Sequence, residues 1–116
     1  MIETDKRSET RLQEQATIYI ELYDQQSDQA ANSVIICNSL DISANGIQFQ
    51  IDQALVPGSI LRLVAELPDK GEPLQLVGEV KWATADQEDF NIGFELYDAE
   101  HTDIIAWKQL IAERLG

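Results

Sequence analysis

The chain has 116 residues, 44% of them hydrophobic, and a formal net charge of -13. That length suits one domain with a core that needs no staple, and the apolar residues are spread through periodic segments rather than massed in a spanning run. The charge argues against binding a nucleic-acid polymer or an anionic lipid surface, since both require a basic face to neutralise phosphate.

Residues 1–11 set Glu3, Asp5 and Glu9 against Lys6, Arg7 and Arg11, so residues 12–116 carry the whole net charge. Acids before bases, with no apolar run following, is not the layout of a secretory signal, and a cytoplasmic address is expected. We take residues 1–11 as a flexible N-terminal tail and residues 12–116 as a single folded domain. From Thr17 to Leu22, Ile18, Ile20 and Leu22 fall on one side and the β-branched content favours strand. The polar stretch Gln25 to Asn32 reads as a loop. Ser33 to Ile42 forms the next strand and holds the only cysteine, Cys37, within the apolar run Val34-Ile35-Ile36-Cys37. A small buried hydrophobe fits that setting better than a reactive or metal-binding thiol.

The turn Asp41-Ile42-Ser43-Ala44-Asn45-Gly46 then leads into Gly46 to Ile51, where Ile47, Phe49 and Ile51 alternate with glutamines. Leu55-Val56-Pro57-Gly58 makes a turn, Ile60 to Leu67 a strand, and Pro68-Asp69-Lys70-Gly71 a second turn. Leu74 to Ala83 and Phe90 to Leu96 form a hairpin across the acidic loop Asp86 to Asp89. Many short strands at this spacing favour a closed or nearly closed antiparallel barrel, which removes exposed edges. Near the end the period changes: Ile104, Trp107, Ile111 and Leu115 make one stripe of a helix at about 99–115, with Thr102 or Asp98 as N-cap. This helix is expected to pack across one opening of the barrel.

Two stretches carry chemistry. The turn offers the Asp41 carboxylate, the Ser43 hydroxyl, and a glycine at 46 where another group can approach closely. Taken alone, it also fits a plain connection in which Asp41 and Ser43 satisfy local backbone groups. Upstream, Arg7 and Arg11 stand four apart. Arg-x-x-x-Arg followed about thirty residues later by Asp-x-Ser-x-x-Gly resembles the signature of PilZ domains, bacterial receptors for cyclic di-GMP. Gly78-Glu79-Val80-Lys81-Trp82 and Asn91-Ile92-Gly93-Phe94 are similar to the family's later strands, so the resemblance covers nearly the whole chain.

The resemblance implies a mainly β fold: a six-stranded antiparallel barrel with a C-terminal helix packed on it. It also implies cyclic di-GMP as the ligand, with no cofactor. Arg7 and Arg11 are assigned to guanine and phosphate, Asp41 to guanine, Ser43 to phosphate, and Gly46 to keeping the approach clear. The chemistry agrees, because a guanidinium fork matches the O6 and N7 edge of guanine, while a carboxylate matches its N1 and N2 donors. Ala44 and Asn45 are placed to offer turn amides to phosphate. Trp82 is a further candidate for stacking on guanine, although it shares strand parity with Leu76 and Val80 and so also reads as core. Lys6 precedes the paired arginines where the family tunes ligand stoichiometry, and a cation there fits two stacked ligand molecules.

Other classes find less support. His101 is the only histidine, at the start of the terminal helix, and nothing in the sequence brings it near Ser43 or Cys37. His/Cys metal sites are excluded by count, and Asp86 to Asp89 lacks the spacing of a calcium loop. The expected role is therefore a non-enzymatic receptor or adaptor that senses cyclic di-GMP and changes its surface for a downstream protein partner. The alternative is an interaction module that binds no ligand and docks a basic partner on its acidic surface.

Overall fold

The structure is a computed structural model and describes residues 11–13, 15–23, 32–68 and 72–115. The strands are β1 (Thr17–Tyr23), β2 (Asn32–Ile42), β3 (Gly46–Ile51), β4 (Ile60–Glu66), β5 (Leu74–Asp86) and β6 (Asp89–Leu96), followed by the helix α1 (Ile104–Leu115). They close into a barrel in the order β1-β2-β3-β6-β5-β4, every pairing antiparallel. The expected six-stranded antiparallel barrel with its C-terminal helix is what forms.

Alternation explains which side chains enter. Ile18 and Ile20, Ile47, Phe49 and Ile51, Leu63 and Ala65, Leu76 and Val80, and Ile92 with Phe94 and Leu96 are all buried. Phe49 and Phe94 face each other with ring centroids 6.2 Å apart, a separation at which tilted aromatic pairs attract. Between β3 and β4, Val56-Pro57-Gly58-Ser59 turns with Ser59 N–H donating to the Val56 carbonyl at 3.0 Å. Gly58 has φ +95, the left-handed region that the second central position of this turn requires and that glycine enters without strain.

The helix starts at Ile104, one residue later than a cap at Thr102 would set it and five later than a cap at Asp98. Trp107 N–H donates to the Asp103 carbonyl at 2.9 Å, so Asp103 is the first half-helical residue, while its carboxylate accepts from the Gln75 N–H at 2.8 Å. Asp98 instead accepts from Lys108, and the Thr102 hydroxyl donates to the Ala99 carbonyl. The buried stripe is Ile104, Trp107, Leu110 and Ile111. Leu115 keeps the azimuth but is exposed at the helix end. The hairpin loop is also tighter than expected: Asp86 pairs Asp89, leaving only Gln87 (φ 61) and Glu88 to turn the chain.

Cys37 is half-buried on β2, and burial pushes its thiol up to about 11. Its reaction with a thiol reagent at pH 8 is expected to run roughly a hundredfold slower than that of a short unstructured cysteine peptide, because only the thiolate attacks. Timed labelling of the native protein followed by mass spectrometry measures this, and a rate matching the peptide's would contradict it.

Candidate functional site

The Asp41–Gly46 turn is held from three sides. Ser43 N–H donates to the Gly46 carbonyl at 2.9 Å, and the Ser43 hydroxyl donates to the same oxygen at 3.3 Å. From β6, Leu96 N–H donates to the Asn45 carbonyl at 2.8 Å, and from α1 the Trp107 indole N–H donates to the Ser43 carbonyl at 2.9 Å. Both Ser43 and Trp107 are fully buried, so these bonds form away from competing water. The hydroxyl thus fills the local backbone-satisfying role that the sequence left open.

Arg11 is brought to this turn by its neighbour. Leu12 N–H donates to the Ile42 carbonyl at 2.7 Å and Ile42 N–H returns the bond to Leu12 at 2.8 Å. This isolated bridge carries the chain alongside the end of β2, and Arg11 Nε donates to Asp41 Oδ1 at 2.6 Å. The pair is partly exposed, with side-chain accessibilities of 34% and 22%, so it contributes at most about 1 kcal/mol to folding. Its interest lies in placement. A Cβ built on Gly46 would lie 3.0 Å from the Phe94 carbonyl oxygen and 3.6 Å from Arg11 Nη2, so the guanidinium reaches across Gly46. Asp41, with one oxygen engaged, keeps the capacity of a carboxylate for several acceptor bonds.

On the other side of Gly46 lies Trp82, whose parity is decided by a bulge. Val80 pairs Phe94 and Trp82 pairs Gly93, which leaves Lys81 as the extra residue. An extra residue reverses the alternation. Val80 therefore points inward, Lys81 and Trp82 both point outward, and Trp82 is 40% exposed. The indole lies flat on β6, since a Cβ on Gly93 would come within 2.2 Å of its Cε2. The bulge is pinned by the loop before β4, where Gly58 N–H donates to the Val80 carbonyl and Val80 N–H to the Ser59 carbonyl.

Arg11, Gly46, Gln48, Lys81, Trp82 and Glu95 thus line an open cleft of about 360 Å³ on the outer wall of the barrel. Lys81 lies 3.4 Å from Glu95 and 3.7 Å from Glu79. The phenol of Tyr97 donates to Glu79, which holds its pKa above the usual range. Lys81, Gln48 and Glu95 were not singled out from sequence, and the one signal for Lys81 was its place beside Trp82. Arg7 and Lys6 lie outside the described residues. His101 is exposed in the connection before α1, with φ 67. Among the described residues no cluster of His, Cys, Asp and Glu is placed to hold a metal, and no helix is long and apolar enough to cross a membrane.

A family model described as "PilZ domain" matches residues 5–113. Among solved structures, the chain is similar to the Bacillus subtilis inhibitor of motility MotI/DgrA at 20% identity and TM-score 0.71, covering 99% of this chain and 56% of that one. It is similar to the MrkH–c-di-GMP complex of K. pneumonia at 15% identity and TM-score 0.68, covering 94% and 50%. It is also similar to the PilZ domain with c-di-GMP of YcgR from Escherichia coli at 11% identity and TM-score 0.65, covering 94% and 91%. The chain spans about half the length of the first two. No curated protein matches it.

Proposed function

The chain belongs to the PilZ domain family, and from that membership we propose that it is a receptor for cyclic di-GMP that presents an altered surface to a protein partner when the dinucleotide binds. The observation that carries this reading is the Arg11–Asp41 pair at one lip of a cleft whose other wall is an outward-facing indole. Two guanines and two phosphates need planar forks, an acceptor for N1 and N2, and an apolar face, and the cleft supplies each kind of group. Similarity to the MrkH–c-di-GMP complex and to the YcgR PilZ domain with c-di-GMP supports the same ligand.

In this reading Arg11 takes guanine or phosphate with its fork, Asp41 takes the N1 and N2 edge, and Gly46 leaves the ligand room beside the barrel wall. Ser43 contacts phosphate after a change of χ1 rotamer, since its hydroxyl is directed to the Gly46 carbonyl here. Arg7 supplies the second guanidinium and Lys6 an additional cation suited to a second stacked ligand. Closure of residues 1–11 over the dinucleotide is the step that changes the surface. The ligand's charge is met at short range, where charge-assisted hydrogen bonds outweigh the screened field of an acidic body.

Titration calorimetry with cyclic di-GMP beside GMP and cyclic GMP tests the proposal. Saturable binding of the cyclic dinucleotide at a concentration where both controls are silent is the expected result, and equal silence for all three would overturn it. Trp82→Ala is expected to lower the affinity roughly five- to hundredfold, in line with about 1–3 kcal/mol for stacking one base. An unchanged dissociation constant in that variant would remove the indole from the site.

A further inference from the structure

Away from the cleft, one stretch of the barrel wall is left half paired. Among the described residues, β2 joins β3 only at Ser39↔Phe49, Asp41↔Gln48 and Ile42↔Ile47, whereas it runs beside β1 from Asn38 back to Asn32. Ser39 N–H donates to the Ala16 carbonyl at 2.9 Å, which fixes the alternation of the β1–β2 ladder. Ser39, Cys37 and Ile35 therefore turn their backbone groups toward β1, and Ile36 and Val34 turn theirs the other way. On that side, β2 meets a groove of about 640 Å³ bounded by the end of β3 and the start of β6.

The side chains here are unusual for an open edge. Val34 is 55% exposed, Ile36 64% and Leu40 42%. Exposed strand edges are normally blunted with lysine, proline or inward charge, and none of these stands among the groove residues. The charged residues that do line it are Asp52 and Asp89, with Asp86 and Glu88 exposed on the adjoining hairpin. Backbone donors and acceptors in a row, apolar side chains at alternate positions, and a rim of one sign make up the recognition surface for an added strand.

We propose that the edge of β2 at Val34–Ile36 is a docking site for an extended segment of a partner protein, alternating apolar residues with lysine or arginine. Its main chain continues the sheet, its apolar residues cover Val34 and Ile36 on the outer face, and its long cationic side chains reach the acidic rim at Asp52 and Asp89 from the strand's edge. A second copy of this chain is the poorer occupant, because each copy brings a net charge of -13. The proposal gives a partner chemistry to the receptor read above and rests on that reading for its purpose, not for its geometry.

The probe is a capped decapeptide of alternating valine and lysine, set beside a glutamate-for-lysine version and a version N-methylated at alternate residues. Amide exchange is followed by NMR on the full chain. In the free protein, Ile35 and Cys37 should be protected, while Val34 and Ile36 exchange freely. Saturating lysine peptide should slow Val34 and Ile36 by about tenfold or more, less so at high salt, and neither control should do so. Ile36→Lys should abolish the effect while leaving cyclic di-GMP affinity within twofold. A silent dinucleotide titration beside an intact peptide effect would defeat the receptor reading alone.

Several outcomes overturn the docking site. Equal slowing by the N-methylated peptide would mean charge attraction without strand addition. Slow exchange of Val34 and Ile36 in the free protein would mean the edge is already covered, by a second copy if dilution releases it and by the chain itself if it does not. No response to any peptide would leave the cyclic di-GMP reading standing and the edge without this role.

Discussion

Arg11→Lys is expected to weaken cyclic di-GMP binding by about tenfold or more, which is a loss of at least about 1.4 kcal/mol. The substitution keeps the positive charge at the lip of the cleft and removes the planar fork that pairs with two acceptors at once. Arg11 already holds Asp41 through Nε at 2.6 Å and reaches across Gly46, so its guanidinium is oriented before the ligand arrives. A lysine ammonium on a flexible stem has no such fixed plane. Because the partly exposed ion pair contributes little to folding, the variant should remain folded and the loss should appear in binding alone. The same loss is expected for Arg7→Lys under the assignment given to the paired arginines. Calorimetry on each variant beside a thermal melt separates the two effects, and near-native affinity in both would count against a guanidinium grip.

The largest effect on stability is expected at Trp107. Its indole is fully buried beneath α1, and removing it in Trp107→Ala should cost about 3–5 kcal/mol, the range for deleting a large aromatic from a packed core. Total stabilities of single domains run to about 5–15 kcal/mol, so this variant should sit near the edge of folding. Trp107→Phe keeps most of the ring and loses the N–H that satisfies the Ser43 carbonyl at 2.9 Å. Leaving that buried acceptor without its donor should cost about 1–3 kcal/mol. The bond also ties the helix to the turn that carries Asp41 and Gly46, so the Phe variant should bind the dinucleotide less well. Urea unfolding of the two variants measures the ordering, and a Phe variant as stable as the parent would mean the bond does not anchor the turn.

The strands were legible because each buries one face, and a buried face writes itself into the sequence at every second residue. Ile47, Phe49 and Ile51 on β3 and Leu63 and Ala65 on β4 are buried as alternation requires. The turn at Pro57-Gly58 was legible because its backbone geometry demands those two residues. Beyond Ala83 the signal stops, although β5 continues to Asp86, since backbone pairing on an exposed ribbon needs no apolar rhythm. The helix cap escaped for a related reason: Asp103 serves through its carbonyl while its carboxylate bonds to Gln75 across the fold, a long-range choice that local spacing does not record.

The candidate site was legible in its motif residues and illegible in its walls. Arg11, Asp41 and Gly46, which the motif singles out, stand together, with Ser43 buried just beneath them. Trp82 had two readings because period-two counting assumes an unbroken ladder, and the extra residue Lys81 breaks it. That single insertion separates a core tryptophan from one that faces the cleft. Lys81, Gln48 and Glu95 come from three different strands, and only closure of the barrel brings them to one place.

The central claim is that the outer cleft between Arg11 and Trp82 holds cyclic di-GMP. Its most direct measurement is a two-dimensional ¹⁵N NMR titration of the native chain, which follows the Trp82 and Trp107 indole signals together with the backbone amides. The expected result is a set of saturable shifts centred on Arg11, the amides of residues 43–46, Gly93 and the Trp82 indole. A titration in which the Trp82 indole and the Gly46 amide stay still at saturating dinucleotide would contradict it.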